Sequence, residues 1–344
     1  MTMKDRILKK DGLVDFLNKL LEFLHVIAPV GKEAYSLYQT IKSGDEVCLD
    51  YVRPLKSAKE VFFPQNEVMF YFNQRTQKMI EPRAKDKTSI LFGAPPCDLA
   101  GIAAQDKLFE SGDFKDVYYI QRRRQAILIG MGCPEPAETC FCNIFGIDRL
   151  SSSVADLFFT PVADLYYIKV NTKRGEELVK DLPEAGAREK KALKQLMEKP
   201  VEFSLDPISL EDLAEALGGN FNSPLWDDLA TRCIGCAACT FVCPTCHCFD
   251  ITDDTKKDLG RRVRTWDGCM FPKFTLHASG HNPRTVGGQR MRQRVLHKFS
   301  YFKDNQGIIS CTGCGRCIMV CPVNMDIRET LKKLSEELAS ASKK

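Results

Sequence analysis

Cys233-Ile234-Gly235-Cys236-Ala237-Ala238-Cys239-Thr240-Phe241-Val242-Cys243-Pro244 sets the terms for the rest of the chain. Its spacing returns as Cys311-Thr312-Gly313-Cys314-Gly315-Arg316-Cys317-Ile318-Met319-Val320-Cys321-Pro322. A loop of the form C-x2-C-x2-C brings three thiolates onto three irons of one [4Fe–4S] cubane, and the cysteine four residues on ligates a second cubane. The residues between the thiols are mostly small, so backbone N–H groups can turn toward sulfur and offset the negative charge. The closing proline offers no competing N–H and turns the chain away.

This is the pattern of two-cluster ferredoxins. It assigns one cluster to Cys233, Cys236, Cys239 and Cys321, and the other to Cys311, Cys314, Cys317 and Cys243. A long insertion separates Cys243 from Cys311, which favours a helical form of the module over a minimal ferredoxin. Zinc is the competing chemistry. It takes ligands in pairs around one tetrahedral ion, and two four-cysteine runs each closed by proline fit that poorly.

The chain has 16 cysteines in 344 residues. A disulfide framework suits short secreted chains. Met1–Gly12 is charged and has no apolar core of a signal peptide, and no apolar run reaches the length of a membrane span. The expectation is a cytoplasmic protein whose thiolates bind metal. Net charge is +4, with 49 basic against 45 acidic residues, too even to argue for nucleic acid or a membrane surface. Hydrophobic residues make up 44%, enough to bury a core.

Eight cysteines remain. Cys97, Cys133, Cys140 and Cys142 fall in Gly/Pro-rich contexts at predicted strand ends and loops, where they form a candidate third [4Fe–4S] site. The alternative is four reduced thiols packed as small hydrophobes. Cys246, Cys248 and Cys269 read as thiols packed around a cluster without ligating it, with ligands of a further group as the alternative, and Cys48 as a core residue in a strand. His277, His281 and His297 read as satisfied core or surface groups. The basic runs Arg122-Arg123-Arg124, Arg261-Arg262-x-Arg264 and Arg290-x-Arg292-x-Arg294 read as solvated faces, or as charges that raise a cluster's potential or dock an acidic partner.

The expected fold class is α+β: an N-terminal mixed α/β domain over 1–205, then a mainly helical two-cluster ferredoxin-like domain over 206–344. Apolar steps from Leu13 to Leu24 predict an amphipathic helix ended near Pro29 and Gly31. Ser89–Gly93 and Ala126–Gly130 predict buried strands, with a helix over Asp98–Glu110 between them. Leu157–Thr160 and Tyr166–Val170 predict a strand pair. Arg174–Lys199 reads as charged helix, Ser209–Leu217 and Ser223–Thr231 as serine-capped short helices, and Ile327–Ala339 as a last amphipathic helix. Gly130-Met131-Gly132 is not a dinucleotide loop, because Pro134 and Pro136 flank the position of the third glycine.

Further stretches carry a family resemblance. They are Val26-Ile27-Ala28-Pro29-Val30, Val61-Phe62-Phe63-Pro64, Pro96-Cys97-Asp98-Leu99 and Cys140-Phe141-Cys142. With them stand Cys243-Pro244-Thr245-Cys246-His247-Cys248-Phe249-Asp250, Trp266-Asp267-Gly268-Cys269-Met270-Phe271 and His277-Ala278-Ser279-Gly280-His281-Asn282-Pro283-Arg284. The chain resembles the iron–sulfur beta subunits of cytoplasmic sulfhydrogenase-type [NiFe] hydrogenases and the similar iron–sulfur subunits of anaerobic sulfite reductases. Pro95 departs from the Arg that relatives often carry before Pro96. The resemblance implies a subunit that transfers electrons within a multisubunit oxidoreductase. On one side would stand a flavin- and NAD(P)H-binding subunit, on the other a terminal hydrogenase, sulfite reductase or heterodisulfide-reductase-like subunit. Catalysis would then lie on the neighbours. The rival expectation is a catalytic subunit that reduces sulfur, sulfite or disulfides at its own iron–sulfur site.

Overall fold

A computed structural model describes residues 3–82, 88–205 and 209–341. The strands of its first sheet are β1 (Arg6–Lys9), β2 (His25–Gly31), β3 (Ser36–Thr40), β6 (Ser89–Ala94), β7 (Ala126–Met131), β8 (Leu157–Val162) and β9 (Leu165–Val170), in spatial order β1-β9-β8-β7-β6-β2-β3. The middle of the sheet, β8-β7-β6-β2, is parallel and its edges are antiparallel. A parallel sheet must be covered on both faces, which is why β6 and β7 are apolar without interruption.

The period of two divides those runs. Ile90, Phe92, Ile127, Ile129, Leu157 and Phe159 point one way, onto Leu13, Phe16, Leu17 and Leu20 of the helix Leu13–Leu21. Leu91, Leu128 and Phe158 point the other way, onto Leu99, Ile102 and Phe109 of the helix Pro96–Phe109 and Tyr119 of the helix Val117–Gln125. The result is three layers.

The first helix is shorter than expected. It ends at Leu21, and His25–Gly31, assigned to its C-terminal boundary from sequence, is strand β2. Pro29 is tolerated there because the parallel pairing with β6 covers only His25–Ile27. The stretch Arg174–Lys199 is two helices, Lys173–Val179 and Ala187–Glu198, interrupted around Pro183.

The second sheet consists of β4 (Asn66–Asn73), β5 (Lys78–Ile80), β10 (Phe249–Lys256) and β11 (Leu259–Trp266), in the order β10-β11-β4-β5. The insertion between the cysteine runs is thus partly a β-hairpin, not helix throughout, and β11 pairs with β4 from the N-terminal half. One sheet joins residues on both sides of the expected boundary at 205. The adjoining residues 206–208 lie outside those described.

The remaining C-terminal elements are helical. Leu210–Gly219 is capped by the Ser209 side chain, and Leu225–Ala230 begins behind Ser223, whose Oγ accepts from Leu225 N. Gly287–Leu296 passes through a π turn, His297–Tyr301, into Phe302–Gln306, and Ile327–Ala341 closes the chain. Leu213, Leu217, Trp226, Leu229, Met291, Val295, Phe299 and Leu331 form their common core.

Candidate iron–sulfur sites

The first cysteine loop is shaped by left-handed backbone at Gly235 (φ 69°) and Ala237 (φ 58°), after which Ala238–Phe241 makes one helical turn. Cys233, Cys236 and Cys239 line a cavity together with Cys321 and Cys317, Met270, Met291 and Arg294. The fourth cysteine of the second run thus shares a cavity with the first three of the first run. Met325 N donates to Cys321 Sγ at 3.2 Å, and Cys236 is exposed.

The second loop turns at Gly313 (φ 59°) and Gly315 (φ 71°). It lies directly on the N-terminal half: Phe141 N donates to Gly313 O at 2.8 Å. A side chain at Gly313 would strike the backbone of Phe141 and Cys142, and one at Gly315 the backbone of Thr139. Cys243 is buried and within electrostatic reach of Cys311 and Cys317. Lys298 Nζ donates to Cys243 Sγ at 3.2 Å, to Thr245 Oγ1 at 3.2 Å and to Ser310 O at 3.1 Å.

Cys97, Cys133, Cys140 and Cys142 do come together. They line a third cavity, with Arg53, Arg149, Pro95, Pro96 and Pro136, and Cys314 of the second loop shares its wall. Cys97 stands in the first turn of the helix that follows β6, and Cys133 just past β7, so the carboxyl edge of the parallel sheet presents both. Arg53 Nη1 donates to Cys140 Sγ at 3.1 Å and its Nη2 to Thr139 Oγ1 at 2.7 Å. The second loop is thus the middle of the three: Cys317 borders the first cavity and Cys314 the third.

Burial pushes these thiols up, Cys133 to about 11 and Cys142 and Cys311 to about 12, with Cys317 higher still. A bound metal would stabilise their thiolate forms against this cost of burial. Cys243 moves the other way, held low by a hydrogen bond with Cys246 and by the Lys298 ammonium. Burial works against charge on Lys298, but Cys243, Cys246 and Cys311 outweigh it and keep the ammonium charged well above the usual lysine range.

Two observations test whether iron–sulfur groups fit. Thiols dominate the ligating side chains on two cavities: Cys233, Cys236, Cys239, Cys317 and Cys321 line one, and Cys97, Cys133, Cys140, Cys142 and Cys314 the other, the donor type that iron–sulfur clusters take. The buried Nε atoms of Arg53 and Arg294 have no hydrogen-bond partner, and both guanidiniums face cysteine-lined cavities. A buried cation left this way calls for an anion beside it. The residues fit anionic thiolate clusters.

Cys246, Cys248 and Cys269 lie alongside these sites. Cys246 contacts Cys243, and Cys248 contacts Cys269, which lies near Cys239. Cys48 is half-buried and lines a cavity of about 550 Å³ that also reaches Cys133; it lies outside any strand, contrary to expectation. His297 packs against His247, while His277 and His281 pair with each other.

The basic runs divide residue by residue. Arg261 and Arg262 pair with Asp254 and Asp253 on the surface, whereas Arg264 is buried between Glu67 and Asp116. Arg292 lies over the Phe221 ring, and Arg294, two residues on, turns inward to the thiols. Sequence reasoning passed over Arg53 and Lys298. Arg53 has no motif around it, and the signal for Lys298 was its place four residues after Arg294 on one helical face.

Residues 232–325 match a family model described as a 4Fe-4S dicluster domain. Across 332 residues the chain is 32% identical to sulfhydrogenase 2 subunit beta of Pyrococcus furiosus, covering 94% of this chain and 96% of the relative. No solved structure matches it significantly. No helix among the described residues is long and apolar enough to cross a membrane. A 4Fe-4S domain within a full-length match of this kind makes the protein an iron–sulfur electron-transfer chain, and it belongs to the family of iron–sulfur beta subunits of sulfhydrogenase type.

Proposed function

We propose that this chain is the electron relay of a cytoplasmic multisubunit oxidoreductase, with a flavin- and NAD(P)H-binding subunit on one side and a terminal hydrogenase or reductase subunit on the other. In this reading Cys233, Cys236, Cys239 and Cys321 hold one [4Fe–4S] cluster, and Cys311, Cys314, Cys317 and Cys243 hold a second. Cys97, Cys133, Cys140 and Cys142 hold a third. Residues 206–344 form the two-cluster domain, and 1–205 the α/β domain that adds the third site. When bound, such clusters supply one-electron redox chemistry.

The observation that carries this reading is the middle position of the second loop, which borders both other cavities. A file of three sites with the central one buried suits passage of electrons from one face of the protein to another. Cys236 is exposed at one end. Cys133, at the other, is shared with the wide cavity lined by Tyr51, Met131 and Tyr166. The buried cations Arg294, Lys298 and Arg53 stabilise the thiolates, and the apolar walls keep water from them.

The test is turnover by the isolated chain with an artificial reductant. A relay is reduced and reoxidised reversibly but leaves polysulfide, sulfite and disulfides unchanged. Steady reduction of any of these would establish the catalytic alternative instead.

A further inference from the structure

Lys298 is buried, and its ammonium has no carboxylate partner among the described residues. It is delivered by a π turn, His297–Tyr301, set between the helices Gly287–Leu296 and Phe302–Gln306. π turns inside helices are uncommon and recur at functional positions. The three acceptors of Nζ belong to the two stretches that flank the middle site. Cys243 and Thr245 lie on one, and Ser310, next to Cys311, on the other. Thr245 Oγ1 also donates to Ser310 O at 2.8 Å, closing the ring.

At the first site Cys321 accepts from a backbone N–H, with Arg294 lining the cavity, and at the third Arg53 donates to Cys140; Lys298 is the cation hydrogen-bonded to a cysteine of the middle site. Reduction adds negative charge to a thiolate-ligated cluster, and a fixed ammonium in a low-dielectric interior favours the more negative state. We propose that Lys298 is a positioning residue that raises the reduction potential of the site formed by Cys311, Cys314, Cys317 and Cys243. This rests on the ligand assignment proposed above.

The experiment is an anaerobic redox titration followed by EPR, with iron and sulfide analysis, on wild type, Lys298→Met, Lys298→Gln and Lys298→Arg. The Gln variant keeps hydrogen-bonding capacity without the charge. In the Met and Gln variants one cluster is expected to become harder to reduce, by about tenfold in its reduced-to-oxidised ratio, ~59 mV for a one-electron couple. The other clusters should keep their midpoints, and the Arg variant should stay near wild type. Unchanged midpoints, or a common shift of all clusters, would overturn the inference. So would loss of iron from both neutral variants with the Arg variant intact, since that marks a structural role. A wild-type protein without iron would instead overturn the ligand assignment.

Discussion

Arg316 and Asp98 meet in a bidentate pair, Nη1 to Oδ1 at 2.6 Å and Nη2 to Oδ2 at 2.9 Å, with neither side chain exposed. Asp98 follows Cys97 and Arg316 precedes Cys317, so this ion pair ties the third cavity to the second cysteine loop across the length of the sequence. Arg316 Nε also donates to Pro54 O, one residue from Arg53, and Asp98 accepts from the Tyr38 hydroxyl and the Ala58 N–H. Such a pair contributes register more than net stability, because desolvation offsets much of its Coulombic gain.

Removing one partner is another matter, since it leaves an uncompensated buried charge. Arg316→Leu is expected to cost about 3–5 kcal/mol in denaturant unfolding. The double variant with Asp98→Leu should recover part of that loss. A single-variant cost no larger than that of a surface substitution would show that the pair does not organise the interface.

The contact between the second loop and the third cavity also depends on Gly315, whose left-handed backbone faces Thr139 with no room for a methyl group. Gly315→Ala should lower iron content and weaken the fold. Gly112 also has positive φ but faces open space, so Gly112→Ala should keep full iron and lose only the modest cost of strained backbone. Iron analysis and thermal unfolding of the two variants compare them directly, and equal behaviour would contradict the close approach.

The cysteine runs were legible in sequence because their spacing is dictated by the cubane itself, and the cavity shared by Cys233, Cys236, Cys239 and Cys321 follows that pattern. β6 and β7 were legible because a doubly covered strand leaves an unbroken apolar run. The hairpin Phe249–Trp266 was not. Its first strand, rich in Asp and Thr, is exposed throughout and carries no alternating pattern. Strand β2 was absorbed into the preceding helix because Leu24, Val26 and Ile27 continue an apolar rhythm that only the later sheet pairing resolves. Arg53 acquires meaning from Cys140 and Met319, both distant in the chain, and no local pattern announces such a contact.

The third site makes a prediction of its own. Cys140→Ser or Cys97→Ser should lower iron from about twelve to about eight atoms per chain while the two other clusters stay reducible, as cubane stoichiometry requires. Arg53→Met, which withdraws the guanidinium from Cys140, should shift or deplete the same cluster. Iron analysis with EPR spin quantitation checks both. Unchanged iron in the cysteine variants would leave Cys97, Cys133, Cys140 and Cys142 as packed thiols.

Burial holds His247 down to about 4 and His297 to about 3, against 6.5 for a free histidine. Both stay neutral in the fold while the unfolded chain takes up protons first, so the stability they contribute is present above pH 6.5 and lost as pH falls toward 4. His247→Gln removes one of these groups. Wild type should therefore lose more stability than the variant between pH 7 and pH 5, measured by anaerobic denaturant unfolding. Parallel losses would mean that His247 protonates freely in the folded protein.

The most direct measurement is iron and acid-labile sulfide in the anaerobically purified chain, with EPR spin counting after reduction. Three cubanes require about twelve of each and three reducible centres. Zinc in place of iron, fewer than about eight irons, or clusters that accept no electron would contradict the electron relay.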